Sequence, residues 1–221
     1  MACFIEGVDW HGVGARVDFP QSGGNFMRIS LRRGPSRPDD GFTVVELMIT
    51  LAVATILMVV AIPSFNNMIN SNRLTTAANE LVGALNAARM EAIKRNADTQ
   101  FCSDLASNNT TGTTDALGNA CGTASGAVYV LTTTTSATPV LTGAPDLATP
   151  VQLHGDITAI RFQGNGLGYS PSAMTTPYDS TTAGGPLADI CTASLSTNNH
   201  IQIFMATGSI ITTQVTSGAC P

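Results

Sequence analysis

The chain has 221 residues, of which 43% are hydrophobic and only 11% charged, and its formal net charge is −5. This length suits one domain, or one small domain with an appendage, rather than several domains. A soluble domain usually carries about 25% charged residues, so the composition does not fit an ordinary soluble protein. The deficit comes partly from one long apolar run and partly from a C-terminal half rich in Thr, Ser, Ala, Gly and Asn.

The N-terminal segment, residues 1–41, is predicted to be a cytoplasmic leader. Residues 1–26 show no periodicity or charge pattern, whereas "MRISLRRGPSRPDDG", which begins at Met27, is compact and basic. Two interpretations remain open: translation begins at Met27, or the protein carries a long cytoplasmic leader.

The apolar run from Val44 to Ile62 contains a single charge, Glu46. A helix needs roughly 20 such residues to cross a bilayer, and a secretory signal has a shorter apolar region followed by a small-residue cleavage site. No such site follows here, so we expect the span to remain in the mature protein. Four arginines lie between Met27 and the run, which places the N-terminus in the cytoplasm and the C-terminal part outside: Arg28, Arg32, Arg33 and Arg37.

The segment after the span, residues 64–96, is predicted to be an amphipathic helix because apolar residues recur at helical spacing. The stripe comprises Phe65, Met68, Ile69, Leu74, Ala78, Leu81, Val82, Leu85, Ala88, Ala92 and Ile93. Pro63 joins this segment to the span, residues 42–63. A proline inside a supported helix usually bends it rather than ending it. The expectation is one kinked helix from Phe42 to Asn96, about 80 Å long at 1.5 Å per residue.

The remainder, residues 97–221, alternates short strand-like runs with polar connections. The runs are "TQFCS", "GAVYVLT", "PVQLH", "ITAIRFQ", "ADICT", "HIQIFMA" and "SIITTQVT". The last two form the best candidate hairpin, with Thr207 and Gly208 at the turn. The predicted fold class is α+β, with a mostly antiparallel sheet packed on the C-terminal half of the long helix.

The sequence contains only weak motifs for metal binding, phosphate binding or catalysis. His154 and His200 have no cysteine or carboxylate at ligand spacing, so we interpret them as surface or sheet histidines rather than metal ligands. "GNGLG", residues 164–168, lacks the strand–turn–helix context of a phosphate-binding loop and is predicted to be a turn. No G-x-S-x-G motif occurs. We therefore expect no catalytic residue, no cofactor and no metal.

Two motifs carry a family resemblance. "GFTVVELMITLAVATILMVVAIPSF" resembles the N-terminus of a type IV prepilin or a type II secretion pseudopilin. "ELVGALNAARMEAIKRN", followed by a strand that contains a cysteine, resembles the FimT/GspH family of minor pilins and pseudopilins. The resemblance implies a pilin-like fold and a structural role.

The resemblance also assigns roles to four residues. Prepilin peptidase would cut between Gly41 and Phe42 on the cytoplasmic side, and the new amino group of Phe42 would be methylated. Glu46 would then be the acidic fifth residue of the mature chain, paired with the positive N-terminus of a neighbouring subunit; alternatively, it reaches only the lipid headgroups. Pro63 would kink the helix in the filament, or simply mark the end of the membrane helix.

The function implied is a subunit that helps to initiate or cap a filament assembled from the inner membrane. The filament is either a type IV pilus or a type II secretion pseudopilus. The implied partners are the prepilin peptidase/N-methyltransferase, other minor pilins or pseudopilins and the major subunit. The protein would cross the inner membrane once, with its C-terminal domain in the periplasm, and would reach the filament tip after assembly.

A DNA receptor for natural transformation is an alternative from another functional class. A membrane-anchored enzyme is a third alternative, but the sequence shows no constellation of catalytic residues. DNA affinity comes largely from Lys and Arg on phosphates. After Asn96 the only basic residue is Arg161, against seven aspartates. The hairpin turn, which starts at Gly208, also lacks the arginines of DNA-binding members. Nucleic acid is therefore a disfavoured partner.

The four cysteines after the span lie in the compartment where disulfides persist. Four cysteines allow three pairings. We favour Cys102–Cys121 and Cys191–Cys220 because each closes a local loop, and the second would tie the last residues to the sheet. Free or differently paired thiols remain the alternative.

Overall fold

The computed structural model describes residues 41–144 and 147–221, except for the side chain of Val60. Met48–Pro221 forms one compact unit. The leader proposed for residues 1–41, with its possible start at Met27, lies outside the described residues apart from Gly41.

One helix, α1, runs from Val44 to Arg95 and continues through Pro63. The single long helix expected from the sequence is therefore confirmed, within two residues at its start and one at its end. It ends where Asn96 takes a left-handed conformation, with φ of 48°. There the N–H of Ala97 donates to the carbonyl of Ala92 at 3.2 Å, one of the hydrogen bonds that commonly close a helix.

The buried face of α1 is shorter than the predicted stripe. The helix contributes Leu74, Ala77, Ala78, Leu81, Ala84, Leu85, Ala88 and Ala92 to the hydrophobic core. Three residues of the predicted stripe, Phe65, Met68 and Ile93, lie outside the core and are 63%, 63% and 46% exposed. Helical spacing alone could not show where the β domain stops covering the helix.

The β domain contains ten strands and three short helices among the described residues. The strands are β1 Thr99–Phe101, β2 Val128–Thr133, β3 Ser136–Leu141, β4 Val151–Leu153, β5 Ile160–Phe162, β6 Gly168–Ser170, β7 Ala173–Pro177, β8 Ala188–Thr192, β9 His200–Ala206 and β10 Ile210–Thr216. The short helices are α2 Ala106–Asn109, α3 Ala116–Cys121 and α4 Ser180–Ala183.

The strands form two sheets, where the sequence predicted one. The six-stranded sheet has the order β3-β2-β1-β5-β6-β7, and the four-stranded sheet has the order β10-β9-β8-β4. Every strand pairing in the described residues is antiparallel, as predicted. The seven predicted strands are present, whereas β3, β6 and β7 lie in segments that were predicted to be turns or loops. β3 and β7 are largely exposed, so they lack the apolar alternation that marks a half-buried strand.

The β9–β10 hairpin meets the six-stranded sheet through backbone groups. Thr207 and Gly208 at its turn both have positive φ, 49° and 70°. The N–H of Gly168 in β6 donates to the carbonyl of Gly208 at 2.7 Å. A Cβ at Gly208 would lie 2.6 Å from the carbonyl oxygen of Gly168, so a larger residue in this turn would push the two sheets apart.

Candidate functional site

The predicted cleavage junction, Gly41–Phe42, lies just before α1 and outside any helix or strand. Both residues are exposed. A Cβ at Gly41 would meet no atom within 4 Å, and its backbone is not in the left-handed region. The described structure therefore gives no packing or conformational reason for a glycine at this position.

Glu46 lies in the first turn of α1, and its side chain is exposed. Its backbone N–H donates to the hydroxyl oxygen of Thr43 at 3.2 Å, so Thr43 caps the helix. Thr-x-x-Glu is the capping-box pattern, and a carboxylate in the first turn also favours the positive end of the helix dipole. Thr43 was not predicted to be a helix cap, although its four-residue signature with Glu46 is present in the sequence.

The first part of α1 exposes a continuous apolar surface. Within α1 lies a segment long and apolar enough to cross a membrane, and none of its most apolar stretch is buried. Its large side chains are mostly more than half exposed, among them Val44, Leu47, Leu51, Val53, Ile56, Met58, Val59 and Ile62. Exposed apolar surface of this extent marks a membrane or protein interaction.

The first disulfide, Cys102–Cys121, joins two buried cysteines whose Cα atoms are 5.5 Å apart. Beside it, the side chain of Asn109 accepts from the N–H of Ser103 at 2.7 Å and donates to the carbonyls of Ser103 and Gly122. Gln100 donates to the carbonyl of Asn109 at 2.7 Å. This cluster joins β1, α2 and the end of α3.

Arg161 extends the same cluster and is only 11% exposed. Its guanidinium donates to the side-chain oxygen of Gln100 and to both carboxylate oxygens of Asp115, at 2.9 and 2.7 Å. Burial acts to raise the pKa of Asp115, but hydrogen bonds from Arg161, Gly118 and Thr111 outweigh it and lower that pKa overall. The ion pair therefore holds α3 against the six-stranded sheet.

The second disulfide, Cys191–Cys220, joins β8 to the C-terminal segment, with Cα atoms 5.8 Å apart. These two disulfides are the pairs favoured from the sequence. Cys191 is paired with His200 across β8 and β9, so the second disulfide lies beside that histidine.

Folding brings together three residues that are distant in the chain, His154, Asp189 and His200. Their potential ligand atoms all lie within 4.8 Å of one another. The expectation that His154 and His200 stand apart from any carboxylate is therefore wrong. Sequence spacing could not reveal the cluster, because it depends on the register of β4 against β8 and of β8 against β9.

A long helix with an apolar first half, whose second half packs on an antiparallel β domain, is the architecture expected of a pilin-like protein. The chain belongs to the GspH family, since the family model for the type II transport protein GspH matches residues 77–207, more than half of the chain. A second model, the prokaryotic N-terminal methylation motif, matches residues 36–62. No curated protein and no solved structure shows a significant match.

Proposed function

We propose that this protein is a minor pilin or pseudopilin that helps to initiate or cap a filament assembled from the inner membrane. The observation that carries the proposal is the presence in one chain of a methylation motif and a GspH domain, at residues 36–62 and 77–207. Proteins of this pilin-like family are structural subunits, so we expect assembly rather than turnover from this chain.

The apolar first half of α1 supports anchoring in the inner membrane. The arginines before the span favour a cytoplasmic N-terminus, and the two disulfides fit a periplasmic β domain. In the filament, the same apolar surface would pack against the helices of neighbouring subunits. Prepilin peptidase/N-methyltransferase, other minor subunits and the major subunit are the partners that this pathway requires.

Glu46 has two proposed roles that act at different stages. In the single subunit it stabilises the start of its own helix beside Thr43. In the filament it would pair with the methylated N-terminus of a neighbouring subunit. A carboxylate in the bilayer centre costs about 2.5–3.5 kcal/mol on insertion scales, and less near the edge, so an opposite charge there would offset the cost and set the register.

The acidic β domain does not favour the alternative of a DNA receptor. Arg161 is the single basic residue after Asn96, and its guanidinium is held by Asp115 and Gln100. Arg89 on α1 donates to the carbonyl of Ser209 in the hairpin turn at 3.1 Å. Neither guanidinium is therefore well placed to neutralise a phosphate.

Processing is the first test. Intact mass and N-terminal sequencing of membrane-purified protein should give a mature chain that begins at Phe42 with a methylated amino group. Gly41→Val should block cleavage, whereas Gly41→Ala should leave part of it. Gly83→Ala is the matched control, because Gly83 is exposed and also has no atom within 4 Å of an added Cβ. A mature N-terminus after residue 63 would contradict the proposal.

The assembly role is tested by in vivo crosslinking. A photo-crosslinking residue at Phe65, which is exposed on α1, should yield adducts with other pilin-like subunits in wild type. The adducts should weaken in Glu46→Gln, because the charge partner is lost. Adducts only with unrelated membrane proteins would contradict a filament role. Identifying the adducts by mass spectrometry would also separate a pilus from a secretion pseudopilus.

A further inference from the structure

The four-stranded sheet has one apolar face and one polar face. Ala188, Ile190, Ile201, Ile203 and Met205 belong to the hydrophobic core. The alternating residues on the other face include His154, Asp189, Cys191, His200 and Gln202. On this second face, Asp189 and His200 are nevertheless 7% and 3% exposed.

Two imidazoles converge on one buried carboxylate in this polar face. His200 Nδ1 lies 3.1 Å from one oxygen of Asp189, and His154 Nδ1 lies 3.4 Å from the other. The Gln202 side chain donates to Asp189 at 3.1 Å, and the backbone N–H of His154 donates to the Asp189 carbonyl at 2.8 Å. The carboxylate of Asp189 is therefore held by Gln202, which is outside the cluster of three, and its backbone is held by the backbone of His154.

The hydrogen-bond network around these residues is not closed. His200 Nε2 is buried and has no hydrogen-bond partner among the described residues. The nitrogen of His200 that faces Asp189 is Nδ1, so an ion bound between these two groups would leave Nε2 as it is.

We propose that His154, Asp189 and His200 bind a divalent transition-metal ion, of which Zn²⁺ is the representative. Two ligands at about 2.0–2.1 Å from a tetrahedral Zn²⁺ lie about 3.4 Å apart, close to the two nitrogen–oxygen separations here, 3.1 and 3.4 Å, and all three ligand atoms lie within 4.8 Å of one another. Imidazole nitrogen suits Zn²⁺, Cu²⁺ and Ni²⁺, whereas Ca²⁺ and Mg²⁺ take oxygen ligands. The partners of Asp189 act as the orienting groups that metal-binding carboxylates usually have.

Such an ion would clamp β4, β8 and β9 together under the C-terminal segment. A Cβ on Gly218 would lie 3.2 Å from His200 Nε2, so the C-terminal segment that Cys220 ties to Cys191 covers this histidine. His154 is 49% exposed and forms the open side through which an ion can enter. This site is separate from the processing motif, so its failure would leave the proposed filament role untouched.

Metal titration of the full-length, detergent-solubilised protein tests the proposal, using a purification tag without histidine and prior chelator treatment. We expect one Zn²⁺ per chain by calorimetry and a higher Tm with Zn²⁺, since binding to the folded state stabilises it. Ca²⁺ should produce neither. Cobalt substitution should give the visible absorption bands of a four-coordinate ion.

Substitutions distinguish Zn²⁺ binding at this cluster from nonspecific Zn²⁺ binding at the protein surface. His154→Ala should weaken Zn²⁺ binding by at least about 10-fold, the loss that even an orienting group produces, and the variant should fold because this side chain is half exposed. Asp156→Asn is the matched control and should bind as wild type does, because Asp156 is an exposed carboxylate two residues from His154. Equal binding by wild type and His154→Ala, or no binding by wild type, would overturn the proposal.

Discussion

The two disulfides lie beside two buried polar clusters that differ in one respect. The first cluster, Gln100, Asn109, Asp115 and Arg161 beside Cys102–Cys121, has polar side chains that are hydrogen-bonded to one another or to the backbone. The second cluster, His154, Asp189 and His200 beside Cys191–Cys220, leaves His200 Nε2 without a partner in the part of the chain that the structure describes.

This difference separates a structural role from a binding role. A fully satisfied buried network rigidifies a fold and specifies one packing. The first cluster therefore needs nothing further. The second cluster instead combines two imidazoles and one carboxylate, the residue types of a transition-metal site, with potential ligand atoms within 4.8 Å of one another.

The largest effect is expected from breaking the ion pair of the first cluster. Arg161→Met leaves the Asp115 carboxylate buried and without its charge partner, which typically costs about 3–5 kcal/mol. Chemical unfolding of the detergent-solubilised chain, followed by the near-UV circular dichroism of its tyrosines, measures the loss. Arg73→Met is the control, because Arg73 is exposed, and an equal loss in both variants would contradict a special role for the Arg161 pair.

Removing either disulfide should cost roughly 3 kcal/mol on the chain-entropy model, since the loops close over similar lengths. The two double serine variants should then differ in metal binding. The change of Cys191 and Cys220 to Ser should weaken Zn²⁺ binding, whereas the same change at Cys102 and Cys121 should not. Non-reducing peptide mapping of the wild type comes first, and recovery of a Cys102–Cys191 peptide would contradict the pairing itself.

The sequence was sufficient for features that depend on neighbours in the chain. Helical spacing gave α1, and alternation gave seven of the strands, because local burial leaves a local pattern. The division into two sheets leaves no such pattern. The first cluster was also missed, since Arg161 reaches Asp115 only when α3 lies beside the sheet.

The second cluster shows the same limit more sharply. Leu153 pairs with Ile190, which places the next residue, His154, beside Asp189. Cys191 pairs with His200, which places that histidine diagonally from the same carboxylate. A shift of one residue in either register would turn these side chains to the opposite face. Strand register, which the sequence did not predict, therefore decides whether the cluster exists.

Acid should weaken the first cluster through Asp115. Its pKa is lowered from an ordinary value of 3.8, so the stability that it contributes is complete above that value and is lost as the pH falls through the lower, folded-state pKa. We expect Asp115→Asn to be less stable at neutral pH but to lose less stability below about pH 4. Thermal unfolding between pH 7 and pH 2 measures how the stability of the wild type and of Asp115→Asn depends on pH.

Asp179→Asn gives the comparison for that experiment. The pKa of Asp179 is also lowered, chiefly by a hydrogen bond from the Thr181 hydroxyl and then by the N–H of Thr207. It is an exposed carboxylate that caps α4, so its loss should change the acid slope less than the loss of Asp115 does. A larger change in Asp179→Asn than in Asp115→Asn would show that the hairpin contact, not the buried ion pair, dominates the acid sensitivity of the fold.

The smallest effect on stability is expected from a hydrogen-bond donor of the second cluster, Gln202. It is half-buried and its side chain donates once, to Asp189, so Gln202→Ala should cost only about 0.5–1.5 kcal/mol without metal. Asn109→Ala in the first cluster should cost more, because it strands the buried N–H of Ser103 and removes the donor to the carbonyls of Ser103 and Gly122. In Zn²⁺ titrations the order of the two variants should reverse, with the larger loss of Zn²⁺ affinity in Gln202→Ala. Gln202→Ala should weaken binding about 10–100-fold by releasing the carboxylate, while Asn109→Ala should bind as wild type does. Equal Zn²⁺ affinity in both variants would mean that Gln202 does not orient a metal ligand, and that the two clusters differ less than their hydrogen bonds indicate.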